Sequence, residues 1–125
     1  MAESDRLLVE RTYAAWDQAF NAQDAQGVAP LYLPDATFLS ATHQVIQGPA
    51  EIARFFFGVF AAGITAHRFE LITMEGNGAM LVAAARWFAQ GTDAQRAATA
   101  LDGIATHLFL HQPDGTLRLR LHTFN

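Results

Sequence analysis

One change of hydrophobic period constrains this chain more than any other feature. Before Thr65 the apolar residues follow helical spacing, broken by one short extended segment; from Thr65 to the end they alternate as strands do. Leu8, Thr12, Ala15, Trp16 and Ala19 recur at steps of three and four, predicting a helix from about Ser4 to Ala22, with Ser4 as its N-cap and that set as its buried face. Ala25 to Leu33 reads as a second, short helix, bent or broken at Pro30 and stopped by Pro34. Asp35 to Ala41 and Gln44 to Gln47 bracket Thr42-His43 and suggest a hairpin.

Gly48-Pro49, with Glu51 two residues on, opens a long helix. Ile52, Phe55, Phe56, Phe57, Val59 and Phe60 are too many large apolar groups for one narrow stripe, so this helix is expected to be covered on more than one side. Strands follow over His67 to Met74, Ala79 to Ala89, Leu101 to His111 and Thr116 to Phe124. Residues 90–100 fit either a polar tip on two long strands or a loop. Helices first and long antiparallel strands after them are the α+β pattern, and nothing along residues 1–125 divides them into more than one domain.

Composition removes whole classes of chemistry. All eight cations are arginines and there is no cysteine, so a lysine Schiff base, a thiolate nucleophile, a disulfide and a Cys-based zinc or iron–sulfur site are excluded. Against twelve anions the net charge is −4, with no run of like charge, which gives nucleic acid no footing. The acidic start Met1-Ala2-Glu3-Ser4-Asp5-Arg6 is unlike a secretory signal, and the most apolar window, Ile52 to Ile64, is interrupted by Arg54 and shorter than the ~20 residues that span a bilayer. No membrane association is expected, and a cytoplasmic location is. His107 and His111 have the spacing of a helical metal pair, but on a strand they lie about 13 Å apart, beyond the reach of two ~2.1 Å bonds. No metal or cofactor is expected.

The order of elements, together with Trp16-Asp17-Gln18-Ala19-Phe20-Asn21-Ala22-Gln23-Asp24, Leu33-Pro34-Asp35-Ala36-Thr37-Phe38, Gly48-Pro49-Ala50-Glu51-Ile52 and Pro113-Asp114-Gly115, resembles the nuclear transport factor 2-like superfamily. That superfamily includes SnoaL-like cyclases, ketosteroid isomerase and scytalone dehydratase on one cystatin-like α+β fold. The resemblance implies a cone-shaped, strongly curved, mixed or antiparallel sheet around the helices, a pocket at the open end, and frequent dimerisation through the convex sheet face. It does not imply a function. The isomerase's tyrosine and two acids fall on Trp16, Thr106 and Ser40, so its chemistry is not carried over. Scytalone dehydratase uses histidines, tyrosines and an aspartate, but His43, His67, His107, His111 and His122 do not map onto it motif by motif.

The expected pocket is bounded by Trp16, Tyr32, Phe38, Phe56, Ala83, Trp87 and Leu108, with Ser40, Thr106, Tyr13 and His122 as its polar groups. Ser40 lacks the Gly-x-Ser-x-Gly setting of a hydrolase nucleophile and reads as a strand serine with a satisfied hydroxyl. Asp17 reads as a surface charge. The last strand is ambiguous: Leu117, Leu119 and Leu121 alternate inward with Arg118 and Arg120 outward, while the isomerase pattern turns His122 and Phe124 inward; a bulge would reconcile the two, and the inward side of the strand's end stays open. His107, Phe109 and His111 are expected on the convex face, as the centre of a homodimer surface. Three functions remain open. The first is a domain that binds a small apolar or aromatic ligand; the second is an acid–base isomerase, cyclase or dehydratase with His122 or His43 as base and Tyr13 as donor; the third is an association domain.

Overall fold

The structure, a computed structural model, describes residues 3–125, with side chains from residue 4. Helix α1 (Glu3–Asn21) buries Val9, Tyr13, Trp16 and Phe20 and half-buries Leu8, Thr12 and Ala19. The buried stripe is rotated from the expected face: Ala15 is exposed, because turning the larger side chains inward removes more apolar area from water. Ser4 lies inside the helix and does not cap it.

Asp24 accepts a hydrogen bond from Gly27 N (3.0 Å) at the start of α2 (Ala25–Val28), and Pro30 sits in the 3₁₀ turn Ala29–Leu31 that follows. The chain enters β1 (Tyr32–Leu39) at Tyr32, so this second helical segment ends before the expected Leu33. β1 pairs antiparallel with β2 (Val45–Gln47), the expected hairpin. Helix α3 (Gly48–Ala61) opens with Pro49, and Glu51 accepts from Gln47 N at 3.2 Å, closing its first turn. It is covered along one side only: Ile52, Ala53 and Phe56 are buried, whereas Phe57 is 60% exposed. It packs against β1, β2, α2 and the 3₁₀ turn, and its Phe56 and Phe60 rings meet Trp16 and Phe20 of α1.

β3 (Thr65–Gly76), β4 (Met80–Thr92), β5 (Ala98–His111) and β6 (Leu117–Phe124) complete a six-stranded sheet in the order β2-β1-β6-β5-β4-β3. Only β1 and β6 are parallel. Residues 90–100 extend β4 and β5 to a tight polar tip, where Asp93 Oδ1 accepts from Gln95 N and Ala97 N (2.8 and 2.9 Å). Helix α1 packs on β3 and β6, and α3 on β1.

Two irregularities decide which side chains face the helices. In β6, Leu121 is opposite Leu108 while Leu119 is opposite Phe109, so Arg120 is an extra residue. Leu117 and Leu119 are buried before it and His122 after it, and the conflict between the two readings of this strand disappears. In β3, Ala66 adopts φ +57° within a register shift between Thr65 and Arg68, which sets His67 and then Phe69 toward α1.

One expected face is reversed. His107 and Phe109 are 1% and 0% exposed: they are registered opposite Ala83 and Leu81, on the inner side of the sheet. Thr106 and Leu108 therefore stand on the outer side. Nothing in β5 distinguishes its faces by polarity, since Ile104, Leu108 and Leu110 alternate with His107 and Phe109.

Candidate ligand site

β3 is an outer strand of the sheet, and its free edge carries backbone groups that need partners. Helix α1 supplies them. Asn21 clamps His67 through both backbone groups, donating from Nδ2 to His67 O (2.8 Å) and accepting from His67 N at Oδ1 (2.7 Å). One turn earlier, Asp17 Oδ2 accepts from Phe69 N (3.0 Å), and its Oδ1 lies 2.8 Å from His67 Nδ1. A carboxylate only accepts, so Nδ1 of His67 carries a proton in this contact, and in the neutral ring Nε2 is the lone pair.

The His67 ring forms part of the wall of a half-open cavity of about 90 Å³ between the helices and the sheet. The wall is built from Trp16 and Phe20 of α1, Phe38 of β1, Phe55, Phe56 and Val59 of α3, and Phe69, Trp87, Ala89, Leu101 and Phe124 of the sheet, with Ile64 beside the C-terminus of α3. His67 and His122 are its only titratable groups. Trp87 is held by its Nε1–H, which donates to Asn125 O at 3.1 Å. Its cross-strand neighbour is Gly103, where a Cβ would overlap Asn125 O and stand 2.6 Å from Trp87 Nε1, so only glycine admits the indole.

Two tyrosine–histidine pairs lie behind this wall. Trp16 Nε1–H donates to Tyr32 Oη (3.0 Å), and Tyr32 Oη lies 2.8 Å from His122 Nδ1. Tyr13 Oη lies 2.8 Å from His107 Nδ1. His107 and His122 are opposite each other on β5 and β6 with ring centroids 4.3 Å apart, and His107 Nε2 is buried without a partner. Burial raises both tyrosine pKa values, keeping the hydroxyls protonated. Burial lowers His107 to about 3, helped by His67, and holds His122 well below the ordinary histidine range, helped by His107 and His67. Both imidazoles are neutral at pH 7.

Of the residues expected to form the pocket, Trp16, Phe38, Phe56, Trp87 and His122 line the cavity. Tyr32 and Ala83 are buried outside its wall, and Tyr13 is turned to His107. Ser40 is buried at the β1–β2 turn, its hydroxyl 2.9 Å from Thr42 Oγ1 and accepting from Gln44 N at 3.2 Å, so it is occupied structurally. His43 is exposed in the same turn at φ +66°, away from the cavity. Thr106 and Leu108 stand on the outer face because of the β5 register.

Asp17 and His67 were missing from the expected site, and Asp17 is not a surface charge: its side chain is 19% exposed and doubly bonded. The available signal was the Asp17/Asn21 pair, two short polar residues one turn apart on the flank of the Tyr13–Trp16–Phe20 stripe. Among the described residues no group of three or more His, Cys, Asp or Glu is placed to hold a metal, and no helix is long and apolar enough to cross a membrane.

The SnoaL-like domain family matches residues 9–117, and the chain belongs to that family. No curated protein matches it. Solved structures with the same fold include a ketosteroid isomerase-like protein from Erwinia carotovora atroseptica, at 16% identity and TM-score 0.85 over 98% of this chain and 96% of that one. A candidate dehydratase of the NTF2-like family from Streptomyces avermitilis is 16% identical, with TM-score 0.81 over 99% and 97%. An NTF2-like protein with a cystatin-like fold from Novosphingobium aromaticivorans is 17% identical, with TM-score 0.81 over 97% and 80%.

The depressed histidines make stability depend on pH with a definite sign. Below the unfolded value of about 6.5 the unfolded chain takes up protons that folded His107 and His122 refuse, so stability falls as pH drops toward their folded values. For His107 the loss is about 2 kcal/mol at pH 5, from ~1.4 kcal/mol per pH unit below 6.5, and His122 adds a loss of the same sign. The urea midpoint is expected to fall between pH 7 and pH 5, and to fall less in His107→Gln; equal falls in the two proteins would contradict a neutral, buried His107.

Proposed function

We propose that this chain binds a small, apolar ring compound in the cavity and transfers a proton on it, as a SnoaL-like isomerase, cyclase or dehydratase would. The observation that carries this reading is the Asp17–His67 pair at 2.8 Å with the imidazole in the cavity wall. A carboxylate that fixes one ring nitrogen as N–H leaves the other as a positioned base, the arrangement general base catalysis needs. His67 takes the base role expected of His122 or His43; His43 lies in the β1–β2 turn and His122 Nδ1 is turned to Tyr32.

The ligand's character follows from the wall. Aromatic rings from α1, α3 and the sheet face a ring compound with flat apolar surface. No arginine, aspartate or glutamate belongs to the wall, so a charged ligand would lose its hydration without gaining a counter-ion. At about 90 Å³ the cavity is well below the ~300–1,000 Å³ usual for ligand pockets, which limits the occupant to a single ring with its substituents toward the opening. An open cavity also supports a ligand site over a domain that only builds assemblies.

The test needs no knowledge of the natural substrate. Cyclohexanone is expected to exchange its α-hydrogens for deuterium faster in the presence of the protein, and His67→Gln to lower that acceleration by about 10²-fold or more. Asp17→Asn, which keeps an acceptor for Phe69 N, is expected to lower it in the same direction. Undiminished exchange with His67→Gln would overturn the assignment.

We further propose a homodimer through the outer sheet face, now centred on Met80, Val82 and Ile104, which are 45–48% exposed. Met80 and Val82 stand opposite Leu110 and Leu108 on the adjacent strand, and Ile104 lies ~13 Å further along opposite Arg86, so the exposed apolar side chains run as a stripe along the outer face. Light scattering is expected to give twice the chain mass, reverting to the monomer in a Val82→Asp/Ile104→Asp variant; a monomeric parent protein would contradict it.

A further inference from the structure

We infer that His122 is a hydrogen-bond donor to the ligand through Nε2–H, held in that tautomer by the Trp16–Tyr32 relay, and that the cavity consequently selects neutral ring compounds bearing a carbonyl-type oxygen. The inference rests on the reading of the cavity as a ligand site and adds the chemistry of its occupant.

Counting protons along the relay gives the tautomer. Trp16 Nε1 is a donor only, so Tyr32 Oη accepts from it at 3.0 Å. Tyr32 has one proton, its side chain is 1% exposed, and its other partner is His122 Nδ1 at 2.8 Å. If His122 Nδ1 carried the proton instead, Tyr32 would accept twice and its own O–H would be buried without an acceptor, which buried hydroxyls avoid. Tyr32 therefore donates, Nδ1 is bare, and the proton of neutral His122 sits on Nε2. Among the described residues that atom has no hydrogen-bond partner, and the ring it belongs to forms part of the cavity wall.

The neighbouring pair repeats the arrangement. If Tyr13 donates to His107 Nδ1, one buried group, the His107 Nε2–H, lacks a partner; the reverse leaves two. The side of the site where these rings lie 4.3 Å apart thus carries N–H polarity. In these tautomers the two imidazoles of the wall carry opposite chemistry, an acceptor at His67 Nε2 and a donor at His122 Nε2.

A ring ketone or aromatic aldehyde satisfies the donor; a hydrocarbon of the same shape does not. A carboxylate would accept as well but finds no cation in the wall. During proton transfer a C–H bond of the substrate breaks, an N–H bond forms at His67 Nε2, and the electron pair moves onto the carbonyl oxygen, where the His122 N–H receives it.

Two measurements test this. Nitrogen-15 spectra of the imidazole rings are expected to show His122 with bare Nδ1 and protonated Nε2, and His67 the opposite way round. Tyr32→Phe should mix the His122 tautomers while leaving His67 unchanged, an effect that loss of packing alone does not produce. Titration with benzaldehyde and its isostere styrene is expected to favour benzaldehyde by about 3- to 10-fold, with the preference lost in Tyr32→Phe and styrene affinity retained.

A protonated Nδ1 on His122 in the parent protein overturns the inference, as does equal affinity for the two probes while both bind. A benzaldehyde preference that survives in folded Tyr32→Phe overturns the relay. If neither probe binds, the ligand-site reading falls and takes this inference with it. Should Tyr32→Phe not fold, the tautomer in the parent protein decides.

Discussion

The attachment of α1 to the free edge of β3 is the contact on which the rest of the arrangement depends. Two side chains one turn apart, Asp17 and Asn21, take the hydrogen-bonding places that a further strand would occupy beside His67 and Phe69. This closes an edge that would otherwise offer unpaired groups to another chain. It also fixes the rotation of α1, because Asp17 and Asn21 can reach β3 only when Tyr13, Trp16 and Phe20 point toward the sheet. The same contact that seals the strand orients the candidate base. Structural and chemical demands on Asp17 are therefore inseparable, which is why the isosteric Asn is the informative replacement there.

Around that attachment the interior is polar to a degree unusual for so apolar a wall. Three histidines, two tyrosine hydroxyls and an indole N–H are buried within a cluster of aromatic rings, and each imidazole Nδ1 has a partner at 2.8 Å. A buried polar group without a partner costs about 1–3 kcal/mol, so these pairs are conditions for folding as well as for chemistry. His107 Nε2 is the exception, and it adjoins the ring that the donor assignment uses. With no lysine and no cysteine in the chain, the titratable groups of this wall are two imidazoles, and their Nδ1 atoms meet different neighbours, Asp17 at His67 and Tyr32 at His122.

Element types and their order were legible because the hydrophobic period switches cleanly and Gly-Pro and Pro-Asp-Gly mark the boundaries. Sidedness was less so. On α1 the sequence offers two overlapping stripes, and the one with the larger side chains won. On β5 both faces are apolar, so alternation carried no direction, and the inward turn of His107 follows only from its register with Ala83. Bulges leave no reliable mark in a sequence: Arg120 shifts the parity of β6, and the left-handed Ala66 directs His67. Trp16, Phe38, Phe56 and Trp87 were legible as cavity wall because large aromatics at inward-facing positions are themselves the signal, whereas the inward turn of His122 came from the isomerase pattern against the leucine alternation. The Asp17–His67 contact, spanning fifty residues of chain, has no such signal.

A crystal structure of the protein soaked in phenol tests the central claim most directly. The account predicts one ring in the cavity against Trp16, Phe38 and Phe56, with its hydroxyl within hydrogen-bonding distance of His67 Nε2 and His67 Nδ1 still on Asp17. A cavity closed by its own side chains, or phenol bound only elsewhere, would contradict it.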